Sequence, residues 1–409
     1  MSAAPPPLKA AHLAPLLAAL AMLGPFSIDT FFPAFRVMAA DLGVSATAMQ
    51  QTISVYLAAY AVMSLFHGPL SDAYGRRNTI LVSTALFALA SAGCMLTPGF
   101  TGLLFFRAAQ GLAAGAGLIV GRAIIRDRFA GPDAQKLMSQ ISLIFGVAPA
   151  IAPVVGGLLV GVSGWRSIFG VLALFSAAVW LWCLRLLPET HAPAARRPLS
   201  ARALAQTYGG MLRDPVFVAL SIGLAGNFGA LFVYIASAPV FVMDHLHLNE
   251  RQFAWLFVPA IAGMMLGATV SGRLAHSHTP QQTMRIAYQL MGGGVLVNLL
   301  VSALLTPSVP WTVLPITIFS MGMAVAFPTA SLLLLDRFPA TRGAVSSLQS
   351  AFILTSNAVL SGLTVPLISH HISWLAAYAT GSIGLGYCCW CFASARLKPA
   401  AGSAVIEGV

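Results

Sequence analysis

Long apolar stretches follow one another along almost the whole chain, each near the ~20 residues that an α-helix needs to cross a bilayer. Twelve can be marked, at about 13–38, 49–66, 80–96, 103–125, 137–162, 168–187, 216–242, 253–272, 286–305, 311–335, 344–368 and 372–392. Backbone inside hydrocarbon must satisfy its own polar groups, so segments of this kind are expected to be helices. Only 8% of the residues are charged and 58% are hydrophobic, with a mean hydropathy of +0.84, where a soluble domain carries about 25% charged residues. That excludes a water-soluble globule and leaves no window for a large catalytic domain. The net charge of +11 comes from short clusters scattered between apolar runs, without the continuous basic face that nucleic-acid binding needs.

The apolar run behind Lys9 extends for about 25 residues, longer than the ~7–15 of a signal-peptide core, and it reads as a retained first span. All five cysteines (Cys94, Cys183, Cys388, Cys389, Cys391) fall inside apolar runs and read as packing residues rather than disulfide or metal partners. The longest hydrophilic stretch, 188–214, divides the spans six and six. The expected organisation is thus one bundle over 1–187, a linker over 188–214 and a second bundle over 215–409. Counting Lys and Arg on alternate sides gives seventeen on the side of the termini and linker against three on the other, which places both termini in the cytoplasm.

Charge inside the spans is sparse, and a buried intramembrane ionisable group is by default a functional candidate. Asp29 is the one acidic residue in the interior of a mapped span, while Arg107 and Arg122 are basic residues inside the fourth. Asp29 lies six residues from Phe35 and Arg107 four from Leu103. At about 1.5 Å per residue, their depths agree within a turn. They are expected to pair, neutralising or modulating one another, with the guanidinium opposing the effect of burial on the carboxyl and poising it for proton exchange. Polar and aromatic residues at mid-span, Tyr56, Tyr60, Gln110, Asn227, Tyr234, Gln349 and Asn357, are candidates to line a substrate cavity. His245/His247, His276/His278 and His370/His371 have no nearby Cys or carboxylate cluster, so no metal site is expected.

Between spans 2 and 3 the sequence reads Gly68-Pro69-Leu70-Ser71-Asp72-Ala73-Tyr74-Gly75-Arg76-Arg77-Asn78. It resembles the major facilitator signature G-x-L-a-D-r-x-G-r-k/r, matched at Gly68, Leu70, Asp72, Gly75, Arg76 and Arg77. The likeness implies a tight loop and a latch in which Asp72 holds the two bundles closed on the cytoplasmic side. The equivalent Gly272-Arg273-Leu274 has lost the acid and the arginine pair, so the latch is expected on one side only. Arg107-Ala108-Ala109-Gln110-Gly111 resembles the R-x-x-Q-G pattern of span 4, and Asp29-Thr30-Phe31-Phe32-Pro33-Ala34 the D-x-x-x-P-A element of twelve-helix drug exporters. Span 5 carries Pro149, Pro153, Gly156 and Gly157, similar to the antiporter signature G-x-x-x-G-P-x-x-G-G, with Ala148 and Ala152 in place of its first two glycines. Within the superfamily this element goes with exporters and supplies a flat helix face for the opposite bundle.

With Ala123-Ile124-Ile125-Arg126-Asp127, Gly164-Trp165-Arg166 and Leu187-Pro188-Glu189-Thr190, the chain is similar to the Bcr/CflA drug:proton antiporters over all twelve spans. That resemblance implies an all-α membrane protein of twelve transmembrane helices in two six-helix bundles. It also implies proton-coupled efflux of small lipophilic drugs across a bacterial inner membrane, with Asp29 and Arg107 coupling the proton. No cofactor is expected, only a proton gradient. The partners implied are a small-molecule substrate, protons and lipid, for a monomer that is neither an enzyme nor a nucleic-acid binder. Export of an amino acid, dipeptide or sugar is the alternative in the same class, and a non-transporting sensor on the same fold is the alternative outside it.

Overall fold

The computed structural model describes residues 10–129, 131–196 and 198–397, and all the regular structure among them is helical. Twelve helices are long and apolar enough to cross a membrane: Leu13–Asp41, Ala46–Tyr74, Arg76–Leu96, Phe100–Arg128, Gly146–Ser163, Arg166–Leu186, Pro215–Ala236, Ala254–Leu274, Pro280–Leu304, Leu314–Arg337, Pro339–Ile368 and Ile372–Ser394. They are spans 1 to 12 below. Each sits where the hydropathy pattern puts it, with ends moved by up to nine residues. The side on which the 188–214 segment lies is called the linker face and the opposite side the far face.

The pairing of helices repeats. Span 2 packs on span 4, span 3 on spans 4 and 6, and span 1 on span 5; six spans later, 8 packs on 10, 9 on 10 and 12, and 7 on 11. Between the two sets the main contacts are span 2 with span 11 and span 5 with span 8. Outward faces carry exposed apolar side chains, such as Leu89 at 71% and Val162 at 84%, as hydrocarbon solvent requires.

Three irregularities are invisible in the hydropathy. Span 1 is a helix to Asp29, a turn at Thr30 and Phe31, a short 3-10 turn over Phe32–Ala34 and a new helix from Phe35. Pro33 lies in that turn and has no N–H to donate to a continuing helix. Span 4 is interrupted at Gly115. Span 11 passes through a π segment at Leu360–Thr364, and a second π segment, Phe241–His245, follows span 7. The linker, read as a hydrophilic connection, also holds a helix, Ala201–Leu212, capped by Ser200 Oγ accepting from Ala203 N at 3.2 Å. Its Tyr208 hydroxyl donates to the Leu65 carbonyl of span 2 at 2.8 Å, tying the linker to the first set of helices.

Candidate functional site: a buried carboxylate and a buried guanidinium

Asp29 ends the first helix of span 1 and is 5% exposed. Among the described residues no hydrogen bond or ion pair reaches its carboxylate. The other acids within spans lie at their ends: Asp41 closes span 1, Asp72 is two residues from the end of span 2, and Asp127 and Asp336 are next to last in spans 4 and 10.

Arg107 is wholly buried and held on several sides. Its Nη1 donates to Ser27 Oγ at 2.9 Å, to the Ser27 carbonyl at 3.0 Å and to Gln110 Oε1 at 2.8 Å, while Nε donates to the Thr52 carbonyl at 3.3 Å. The guanidinium carbon lies 4.8 Å from the Phe31 ring centre and 4.4 Å from that of Tyr56, so aromatic faces replace water around the charge. Gln110 is fixed in turn by donating to Ser91 Oγ at 2.7 Å. Gly111 lets span 4 approach this closely, because a Cβ there would overlap the Tyr56 carbonyl.

The expected pairing of Asp29 with Arg107 is therefore not made. Residues two apart on an α-helix project about 200° apart. Ser27, in the helix, and Phe31, in the turn beyond it, both meet Arg107, and a guanidinium seated there does not bond Asp29. Rotation around the helix decides the partner.

On the linker face, Arg76 binds Asp72, Ser71 Oγ at 2.6 Å and Asp127 at 3.0 Å. Gly75 has a φ of +96°, which favours glycine, and the Glu189 carboxylate packs into the space a Cβ would take. Glu189 accepts from the Arg76 backbone N–H at 3.0 Å and pairs with Arg196 at 3.6 Å. Arg77 donates to the Leu187 and Leu184 carbonyls at 2.8 Å each, and Thr190 to Asp127 at 3.1 Å. The signature loop thus fastens spans 2, 3, 4 and 6 and the start of the linker to one another. The latch expected between the bundles is not formed by Asp72 among the described residues. Gly68 is the motif's approach to the other side, where a Cβ would stand 4.0 Å from Ser347 Oγ of span 11.

Closure lies on the far face. Span 5 runs unbroken through Pro149 and Pro153 and presents Ala148, Ala152 and Gly156 at four-residue spacing. A Cβ on Gly156 would overlap the Thr30 carbonyl of span 1. One position on, a Cβ on Gly157 would lie 2.5 Å from the Glu250 carbonyl just before span 8. The two glycines therefore face different partners, one within the first bundle and one across to the second. Arg36 forms an ion pair with Asp244, Phe32 meets Phe257 with ring centres 6.2 Å apart, and Gln50 donates to the Ala236 carbonyl at 3.0 Å.

Four of the remaining candidates bond neighbouring groups in this conformation. The Tyr56 hydroxyl donates to the Gly24 carbonyl at 3.2 Å, Asn227 to Tyr288 at 3.2 Å, and Gln349 to Ser331 at 2.7 Å. Tyr234 accepts from Asn298 at 2.6 Å. Asn357 is buried with its Oδ1 unpartnered among the described residues, and Tyr60 is half-buried beside Gly24 and Gly115. Two residues went unnoticed in the sequence. Ser27 is the anchor of Arg107, and His67 of span 2 is fully buried, facing the Gly115 break in span 4.

A sequence model described as Major Facilitator Superfamily matches residues 17–361. A bicyclomycin resistance protein homolog of Haemophilus influenzae is 27% identical over 356 residues, 86% of this chain and 88% of that one. Multidrug resistance protein D of Escherichia coli is 28% identical over 361 residues, again 86% and 88% of the two chains. Among solved structures, a bacterial homolog of the human lysosomal transporter Spinster superposes with a TM-score of 0.75 at 17% identity, covering 95% of this chain and 97% of that one.

Proposed function

The chain belongs to the Major Facilitator Superfamily, and we propose that within it the protein works as a proton-coupled exporter of small lipophilic drugs. It is a multi-pass protein of a bacterial inner membrane, with relatives named for drug and antibiotic resistance. The excess of Lys and Arg on the linker face orients that face to the cytoplasm.

The observation that carries the proposal is Asp29, a carboxylate in the interior of a span, buried and without a partner among the described residues. A group in that position changes its solvation when it gains or loses a proton, and a two-sided carrier can use that change as its coupling step. In the cycle, the form open to the cytoplasm binds drug as Asp29 releases its proton inward. The bundles then rock about spans 2, 5, 8 and 11, the drug leaves, and Asp29 takes a proton from outside. Arg107, on the neighbouring span 4, is anchored to Ser27 and leaves the carboxyl out of a static pair. The far-face contacts of Gly157, Arg36 and Phe32 are those that must part for release. A charge crossing ~100 mV yields about 2.3 kcal/mol and one pH unit about 1.4 kcal/mol. For a neutral drug exchanged against one proton, that sum sustains accumulation of several hundred-fold.

The test is efflux of a panel of drugs and amino acids from cells lacking their own pumps, with and without an uncoupler. Drug export that the uncoupler stops is the expected result. Export of amino acids alone moves the substrate class, and no export of either ends the transport reading.

A further inference from the structure

Spans 11 and 12 both pack on span 7, but among the described residues they make no substantial contact with each other. Span 11 is drawn the other way. Gln51 of span 2 donates to the Gly362 carbonyl at 2.9 Å, Ser54 to the Ala358 carbonyl at 2.8 Å, and Ser361 to Gln50 at 3.2 Å. The gap left behind is a cavity of about 450 Å³, within the ~300–1,000 Å³ range of small-molecule sites.

Its floor is Ile222, Ala225 and Gly226 of span 7, and its walls carry Thr355 and Ser356 from span 11 and Tyr378 and Ser382 from span 12. Each helix supplies one stripe at three- or four-residue spacing, so the cavity is a feature of the bundle and not of a loop. The floor residues lie seven to eleven positions past Pro215, about 10–17 Å into the membrane at 1.5 Å per residue. Leu385, 50% exposed, stands at the mouth on the lipid side.

The chemistry of the lining narrows the occupant. No charged side chain is present, which excludes headgroups and ionised ligands. A hydroxyl in mid-helix ordinarily bonds back to the carbonyl one turn earlier, as Thr380 does to Ala376 at 2.8 Å. Thr355 and Ser356 make no such bond among the described residues, which leaves two hydroxyls at mid-membrane depth free for a guest. An acyl chain gains nothing from them, whereas a compact neutral molecule with a carbonyl or hydroxyl does.

We propose that this cavity is a second ligand site, loaded sideways from the bilayer, for uncharged lipophilic small molecules that carry a hydrogen-bonding group. For an exporter it would gather membrane-dissolved compounds beside the path between the bundles. Binding there does not depend on Asp29 or on transport.

The experiment uses the full chain in nanodiscs of phosphatidylethanolamine and phosphatidylglycerol, labelled with photoreactive trifluoromethyl-diazirinyl benzyl alcohol and mapped by mass spectrometry. Saturable labelling of the segments around Ser356 and Ser382 is expected. Ser356→Ala weakens it about threefold to tenfold, the worth of one hydrogen bond. Thr355→Trp with Leu385→Trp, both at the accessible mouth, abolish it, and Leu363→Trp, on an exposed face of span 11 outside the lining, leaves it intact. Labelling that does not saturate, or that survives the two mouth tryptophans, overturns the proposal. So does labelling of the same segments by a diazirine phospholipid that the alcohol cannot displace, since the cavity would then hold an acyl chain.

Discussion

Arg107 Nη1 stands 2.9 Å from Ser27 Oγ and 3.0 Å from the Ser27 carbonyl, two residues before the buried carboxylate of Asp29. The guanidinium is thereby tied to the first span without neutralising its acid. A lysine cannot reach the Ser27, Gln110 and Thr52 acceptors together or stack between Phe31 and Tyr56. Arg107→Lys is expected to abolish transport. Ser27→Ala removes one charge-assisted bond of about 1.5–3 kcal/mol while the carbonyl contact stays, so it lowers the melting temperature yet retains transport. Thermal unfolding and dye efflux of the two variants check this; full transport by Arg107→Lys would contradict it.

The neighbouring glycines of span 5 should separate cleanly. Gly156→Ala drives a methyl into the Thr30 carbonyl inside one bundle and should cost stability by about 1–3 kcal/mol. Gly157→Ala presses on Glu250 of the other bundle, so the fold survives and the far face opens. Disulfide crosslinking between Arg36→Cys and Asp244→Cys, with the native cysteines replaced, should fall in the Gly157→Ala background. Undiminished crosslinking would mean that this contact does not hold the far face shut.

The Arg36–Asp244 pair is about half exposed on both sides, so its contribution to stability is small, ~0–1 kcal/mol. Its value is in which conformation it favours. Asp244→Arg alone should slow turnover, and Arg36→Asp with Asp244→Arg should restore it. Equal rates in the single and double variants would remove the pair from the gate.

Asp214 starts span 7 by accepting from Val216 N at 2.9 Å and Phe217 N at 3.0 Å, and it pairs with Arg337 at 2.6 Å. Partial burial works against ionisation, but the bonds from Arg337 and from those two N–H groups outweigh it and hold the carboxyl below 3.8. A depressed folded value means that the stabilisation is complete above that pH and fades as acid titrates through the lower folded value. Asp214→Asn and Asp214→Ala both remove the titrating carboxyl and should flatten the acid limb of the melting profile; Asn keeps the cap, while Ala loses about a further 1 kcal/mol. Identical melting of the Ala variant and wild type at neutral pH would refute the cap.

The twelve spans were legible because hydropathy over a window of twenty residues is a property of composition and survives ignorance of packing. The partner of Arg107 was half legible: only one of Ser27 and Asp29 can face span 4, and the sequence does not say which. The Ala201–Leu212 helix was hidden among arginines and read as linker. Gly157 appears in the sequence as half of a glycine pair, and its cross-bundle role exists only once spans 5 and 8 are brought together. Mid-span polar residues such as Gln110 and Tyr234 look alike in sequence whether they face a cavity or a neighbouring helix, and here their hydrogen bonds settle on neighbouring helices.

Proton flux tests the coupling role of Asp29 most directly. In inverted membrane vesicles energised to an acidic interior, a pH-sensitive dye reports protons leaving when a drug such as chloramphenicol is added. Drug-stimulated proton release by the wild type, absent in Asp29→Asn although that variant still binds the drug, is the result expected. Release at the wild-type rate from Asp29→Asn would contradict the account, because the buried carboxylate would then not carry the proton.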